Sequence, residues 1–258
     1  MRIGFEHGNG PPLVLVPGIP GPWEYVRPAV DALAAYFRVL TLPLGSDCSI
    51  ESDVARIERE LDERRIDQAV VCGISFGGLI ALRFAATRPA RTRALVLASV
   101  PGPGTRLKPK HRIYAQWPYV FGPLFVLETP FRLSREVATA LPRGSERLSF
   151  AWTQLKAFLT AGLSLKQVAR RACLMEELDI AADGSRVAAP TLVVTGEPAL
   201  DWVIPVDSTM TFARLIPHAQ HVTLERTGHL GTMTRPAAFA ASVRRFVDGV
   251  RTQDDEVA

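Results

Sequence analysis

Short apolar runs alternate with stretches of helical spacing through the first hundred or so residues and again through about the last seventy. Leu13-Val14-Leu15-Val16, Val39 to Leu42, Ala69 to Cys72 and Ala94 to Ala98 are apolar at almost every position rather than at every second one. That is the pattern of strands buried on both faces of a parallel sheet. Ile3 to Glu6 predicts a shorter opening strand, ended by the turn at Gly8-Asn9-Gly10-Pro11-Pro12. Between the strands, Trp23 to Tyr36, Ile50 to Arg65 and Phe76 to Thr87 predict helices. The second of these sets Val54, Ile57 and Leu61 on one face and Glu58, Glu60, Asp62 and Glu63 on the other. Pro17-Gly18-Ile19-Pro20-Gly21-Pro22 is too rich in proline and glycine for a helix and predicts a loop after the first confident strand.

From Pro101 to about Ala188 the alternation stops. Helices are predicted over His111 to Tyr119, Arg132 to Leu141, Glu146 to Thr160 and Leu165 to Leu178, separated by Pro123, Pro130, Pro142-Arg143-Gly144 and Gly162. Strand alternation resumes with Thr191 to Val194, a helix over Val206 to Leu215, the strand His221 to Leu224 and a closing helix over Arg235 to Val250. The expected fold class is α/β, a mostly parallel central sheet with helices on both faces. Residues 1–100 and 189–258 would form the core domain, and 101–188 a helical cap inserted after the strand at 94–98.

Composition alters this picture little. A chain of 258 residues with 47% hydrophobic and 22% charged side chains suits one α/β domain with an insertion. The formal charge of +4 is mild, and its densest run, Arg106, Lys108, Lys110, His111 and Arg112, reads as a solvated face; no nucleic-acid partner is expected. Cys48, Cys72 and Cys173 have neither disulfide nor metal spacing, so reduced thiols, a cytoplasmic location and no metal are expected. Met1 to Gly10 lacks the apolar core of a signal peptide, and no apolar run is long enough for a membrane helix, so no stable membrane insertion is expected.

The chemistry concentrates at Val70-Val71-Cys72-Gly73-Ile74-Ser75-Phe76-Gly77-Gly78, where an apolar strand stops at a glycine-flanked serine and turns helical. A sharp strand-to-helix turn has no room for a Cβ two positions before or after its apex, which accounts for Gly73 and Gly77. Ser75 would then stand in a strained conformation with its hydroxyl exposed above a helix N-terminus. A serine nucleophile needs a base and an acid that orients the base. Of the five histidines, His229 lies in the glycine-flanked loop Thr227-Gly228-His229-Leu230-Gly231 after the last strand, while His7, His111, His218 and His221 are less well placed. Asp201, in the loop Gly196 to Pro205 after the strand at Thr191, is the expected acid, with Glu197 in reserve.

These stretches resemble the α/β-hydrolase fold family, in particular its small, cofactor-free, capped esterase, lactonase and haloperoxidase-like members. The resemblance covers nearly the whole chain outside the cap: Leu15 to Ile19 match the family's first-strand loop, Gly73 to Gly77 its elbow, Gly196 to Pro205 its acid loop and Gly228-His229 its base loop. The order Ser75, Asp201, His229 is the family's order. By the resemblance, the oxyanion hole would be the backbone amides of Ile19 and Phe76. Two departures stand out. Pro17-Gly18 replaces the His-Gly of many relatives, and more residues than usual separate Gly196 from Asp201. Serine rather than aspartate at the elbow argues against dehalogenase and epoxide-hydrolase chemistry.

The resemblance implies cofactor-free hydrolysis of a small apolar carboxylic ester or lactone through an acyl-enzyme. The cap would roof the pocket, with Trp117, Tyr119 and Phe125 as expected lining and the segment Trp117 to Leu127 as a substrate entrance. Fold alone does not separate this reading from a ligand-sensing protein that keeps the three residues, nor from a perhydrolase that uses them to form peracids.

Overall fold

The computed structural model describes residues 4–257. The strands are β1 (Phe5–His7), β2 (Pro12–Val16), β3 (Arg38–Thr41), β4 (Ala69–Ile74), β5 (Thr92–Ala98), β6 (Thr191–Thr195) and β7 (Gln220–Thr223). They form one sheet in the order β1-β3-β2-β4-β5-β6-β7, parallel throughout except that β1 runs antiparallel to β3. Ile3, placed in the opening strand by its pattern, lies outside the described residues.

The helices α1 (Arg27–Leu33), α2 (Ile50–Glu63), α3 (Phe76–Thr87), α9 (Val206–Leu215), α10 (Gly231–Thr234) and α11 (Pro236–Val257) belong to the alternating part. Successive strand residues point to opposite faces, and the core divides accordingly. Val14 and Val16 join α2, α3 and α9 in one apolar layer; Leu13 and Leu15 join α1 and α11 in the other. Residues Leu13, Leu15, Val70, Val71, Leu95, Val96 and Leu97 are fully buried, as strands covered on both sides require. α2 starts where Ser49 accepts a hydrogen bond from the Ser52 amide, a side-chain N-cap.

Between β5 and β6 lie five helices: α4 (Pro109–Gln116), α5 (Pro118–Ala140), α6 (Gly144–Ala161), α7 (Leu165–Glu177) and α8 (Ile180–Ser185). Three local expectations need correction. α5 runs unbroken through Pro123 and Pro130, which were expected to separate elements. Both prolines are exposed, so water can take the place of the amide donor each one lacks. Trp23 to Tyr36 is not one helix but a 3₁₀ turn over Trp23–Val26 followed by α1. Pro28, in the first turn of α1, has no N–H to return to the preceding turn. α8 was missed because six residues including Gly184 are too few to show a period; the Asp179 side chain caps it by accepting from the Ala182 amide at 3.0 Å.

α8 is anchored to α3 by a buried carboxylate: Asp183 accepts from Arg83 Nε at 2.6 Å and from Arg186 Nη2 at 2.7 Å. Asp183→Ala should therefore lower stability by about 2 kcal/mol, less than a wholly buried pair would lose because both arginines keep access to water. Urea unfolding of parent and variant reads this directly, and a loss within error of zero would show that α8 docks through its apolar contacts alone.

Candidate active site

β4 ends at Ile74 and α3 begins at Phe76, leaving Ser75 at the apex with φ 53° and ψ −124°. A non-glycine residue there carries backbone strain. The strand register holds it in place, with the Ser75 amide donating to Ala98 O at 2.8 Å. A Cβ on Gly77 would come within 2.3 Å of Pro17 O, and one on Gly73 within 2.5 Å of Gly77 O. The elbow thus closes only with glycine at both positions. The Ser75 hydroxyl does not cap its own helix; its Oγ lies 3.1 Å from Nε2 of His229.

His229 enters from the loop after β7, and Asp201 from the loop after β6. These loops meet backbone to backbone, since a Cβ on Gly228 would lie 2.4 Å from Leu200 O. Asp201 Oδ1 accepts from the amides of Val203 and Ile204 at 3.0 and 2.9 Å, which leaves Oδ2 facing His229 Nδ1 at 3.4 Å. That separation is an ion-pair distance and longer than a well-formed hydrogen bond. Glu197 is turned elsewhere: its Oε1 accepts from the Arg226 amide at 2.6 Å and closes the turn between the two loops. Among the remaining histidines, His221 Nε2 lies 2.9 Å from Thr195 Oγ1 across the edge of the sheet. No group of three or more His, Cys, Asp or Glu among the described residues is arranged to hold a metal ion.

Ser75 opens into a cavity of about 680 Å³. Ile19 and Phe76, the two residues whose amides the resemblance assigns to an oxyanion hole, line it beside the serine. The facing wall comes from α4, α5 and α7, through Tyr114, Pro118, Phe125, Leu165, Val168 and Met175. Of the three expected lining aromatics, only Phe125 faces the cavity. Trp117 and Tyr119 are 61% and 73% exposed. Pro118 occupies the inner position at the start of α5, and neighbours on a helix are turned about 100° to either side of it. Twelve of the fourteen exposed large apolar side chains among the described residues lie from Ile113 to Leu159, so these helices carry apolar groups outward as well as inward. The basic run also differs from expectation, since Arg106, Lys108 and His111 line the cavity instead of forming a purely solvated face.

Two charged residues that the sequence reading did not single out reach the site from these helices. Glu136, on α5 and fully buried, accepts through Oε1 from the amides of Gly228 at 2.7 Å and Leu230 at 2.6 Å, one on each side of His229. Arg171, on α7 and 1% exposed, donates to the carbonyls of Ile19, Pro20 and Gly45 at 3.0, 3.2 and 3.0 Å. Each fastens the backbone of a loop that lines the serine. No local motif marks either residue; both are single charges within helical spacing, legible only once the helices are docked.

Burial pushes the Glu136 carboxyl up from 4.5 to about 7, against the amides of Gly228 and Leu230 and the imidazole of His229, which pull it down, and with Asp201 adding to the rise. The folded protein therefore keeps this proton to about pH 7, whereas the unfolded chain releases it near 4.5. The stabilising contribution of the protonated group is whole below pH 4.5 and lost as pH rises through 7, a difference on the order of 3 kcal/mol. Glu136→Gln cannot titrate. Between about pH 5 and pH 8 the parent should lose more unfolding free energy in urea than this variant does, and equal losses would place the titration elsewhere.

Residues 13–242 match the description of the Alpha/beta hydrolase family. The chain is 25% identical to RutD of Pseudomonas syringae pv. syringae, named for carbamate hydrolysis, over 94% of this chain and 95% of that one. It is 27% identical to the pimeloyl-[acyl-carrier protein] methyl ester esterase of Nitrosomonas europaea, over 91% of this chain and 94% of that one. In three dimensions it is similar to the enol-lactonase from Burkholderia xenovorans LB400, with a TM-score of 0.77 and 20% identity over 95% of this chain and 96% of that one. With a family match that takes in both the elbow and the base loop, the chain belongs to the alpha/beta hydrolase family.

Proposed function

We propose that this protein is a serine hydrolase that cleaves a carboxylic ester or lactone through an acyl-enzyme, with Ser75 as nucleophile, His229 as base and Asp201 as the acid that orients it. The observation that carries the reading is the 3.1 Å approach of Ser75 Oγ to His229 Nε2 at a strained elbow that opens into a large cavity. Relatives named for methyl ester and carbamate cleavage agree with it in class, since each of those reactions begins at an acyl carbon.

In this mechanism His229 Nε2 takes the proton from Ser75 as Oγ attacks the carbonyl carbon. The negative charge that develops on the carbonyl oxygen is met by the amides of Ile19 and Phe76, the latter at the positive end of α3. Collapse breaks the bond to the alcohol oxygen, and the imidazolium returns its proton to that leaving group. Water then repeats the sequence on the acyl-enzyme and releases the acid. Asp201, held by two backbone amides, keeps the imidazole in the tautomer that presents a lone pair to the serine. No cofactor enters these steps. Residues 101–188 act as a cap that supplies the facing wall of the cavity and so selects the substrate. The unpaired thiols of Cys48, Cys72 and Cys173 suit a reducing, cytoplasmic setting.

A fluorophosphonate probe should label the protein once, on the peptide that contains Ser75. Ser75→Ala should abolish labelling and lower ester or lactone turnover by on the order of 10⁶. Asp201→Asn should cost on the order of 10⁴, and Glu197→Gln far less. If Ser75→Ala turns over the best ester as fast as the parent, the mechanism is wrong. If the parent is labelled yet kcat/KM stays well below roughly 10⁴ M⁻¹s⁻¹ across esters and lactones of many chain lengths, a ligand-sensing role replaces the enzymatic one.

A further inference from the structure

The cations of the insertion fall into two groups by whether they have a counter-charge. Outside the cavity, Lys110 is paired with Glu128 at 2.6 Å and Arg112 with Glu176 at 3.0 Å. On the cavity wall stand Arg106, Lys108, Arg132 and Arg214, and no carboxylate of the described residues lies within ion-pair distance of any of the four. Arg106 feels Glu176 only at longer range, because that carboxylate is already held by Arg112 and by the Leu107 amide. Among the described residues, Asp207 is the one carboxylate on the wall.

Arg132 is the best placed of the four. It is half-buried, its guanidinium carbon lies 5.7 Å from the centre of the Phe125 ring, and among the described residues its one hydrogen-bond partner is His111 Nε2 at 3.4 Å. A guanidinium carries five donors in a fixed fork that suits a carboxylate or phosphate. Arg132 lines the cavity, and no acceptor other than His111 Nε2 meets its fork among the described residues. His111 reports the same local field: burial first, then Arg132, Lys108 and Lys110, hold its imidazole below the usual range, with only Glu128 opposing. The insertion is basic as a whole, since residues 101–188 hold thirteen Lys and Arg against seven Asp and Glu. Such a field draws anions toward the cavity.

We propose that the substrate carries, away from the scissile bond, an anionic group that Arg132 binds with help from Lys108, Arg106 and Arg214. The apolar wall of Phe125, Leu165, Val168 and Met175 takes the intervening hydrocarbon. Arg214 is eight residues along α9 from Val206, which follows the acid loop, so it stands roughly 12 Å further along that helix. The class is therefore an ester or lactone whose apolar portion carries a carboxylate or phosphate away from the reacting carbonyl. This rests on the ester or lactone reading of Ser75.

The test compares monomethyl esters of succinate, adipate, suberate and sebacate with the same esters whose free carboxylate is replaced by a primary amide. The anionic member of the best pair should have kcat/KM about ten- to a hundred-fold above its amide, as one or two charge-assisted hydrogen bonds would give. Arg132→Gln should bring that ratio close to one, added salt should lower it, and Arg112→Gln, whose arginine is paired outside the cavity, should leave it unchanged. A second arm places a phosphate where the carboxylate was, and the larger kcat/KM identifies which anion the site prefers. If the amides are turned over as well as the half-esters, the inference fails while the hydrolase reading stands. If no ester is turned over, the hydrolase reading fails, and binding then decides the inference by itself. Ser75→Ala should bind the half-ester at least ten-fold more tightly than the amide by calorimetry, and equal dissociation constants would overturn it.

Discussion

Glu136 and Arg171 are buried polar side chains that tie helices between β5 and β6 to loop backbone at the site. Removing a carboxyl or a guanidinium from water costs free energy that hydrogen bonds at the destination offset. Glu136 finds its partners in the Gly228 and Leu230 amides, and Arg171 in the carbonyls of Ile19, Pro20 and Gly45. In each case the partner is backbone of a loop beside Ser75. Loops that project from a sheet have few apolar contacts of their own and open at low free energy. Here two of them are tied to helices of the insertion, so undocking those helices would break at least five hydrogen bonds to loop backbone together.

The elbow obeys a different constraint, one of space. Ser75 accepts a strained backbone because the β4 register, the bond from its amide to Ala98 and the close approach of Gly77 to Pro17 leave no relaxed alternative. The same close approach brings the loop bearing Ile19 against the start of α3. Under the proposed function, the attacking oxygen and both amide donors are therefore set by backbone geometry, while the base is set by hydrogen bonds from a distant segment. Any displacement of α5 would reach His229 before it reached Ser75.

This division also explains how much the sequence disclosed. The sheet strands, α2, α3 and α9 were legible because each rests on a local period or a local steric demand, as in the apolar run Leu13 to Val16 or the glycines around Ser75. The loops bearing Asp201 and His229 were legible from their position after strands, a rule of parallel sheets. α5 was misread because proline is a strong local signal whose effect depends on whether that face of the helix meets water. Trp117 and Tyr119 were assigned inward because they are aromatic, whereas the direction of a helical side chain is set by which neighbour, here Pro118, takes the inner position. Glu136 and Arg171 could not be found at all from local pattern, since nothing near them in sequence indicates the loops they hold.

Arg132 and Glu136 are four residues apart on α5, a spacing that sets two side chains on the same face about one turn apart. The first faces the cavity and the second the base loop. A helix moves as a rigid element over so short a length, so the two contacts cannot be adjusted separately. An anionic group bound by Arg132 would hold α5 in the position that also presents Glu136 to the amides on either side of His229. Substrate recognition and alignment of the base then share one element. Under the proposed function, an insertion that carries both is part of the site's construction as much as its roof.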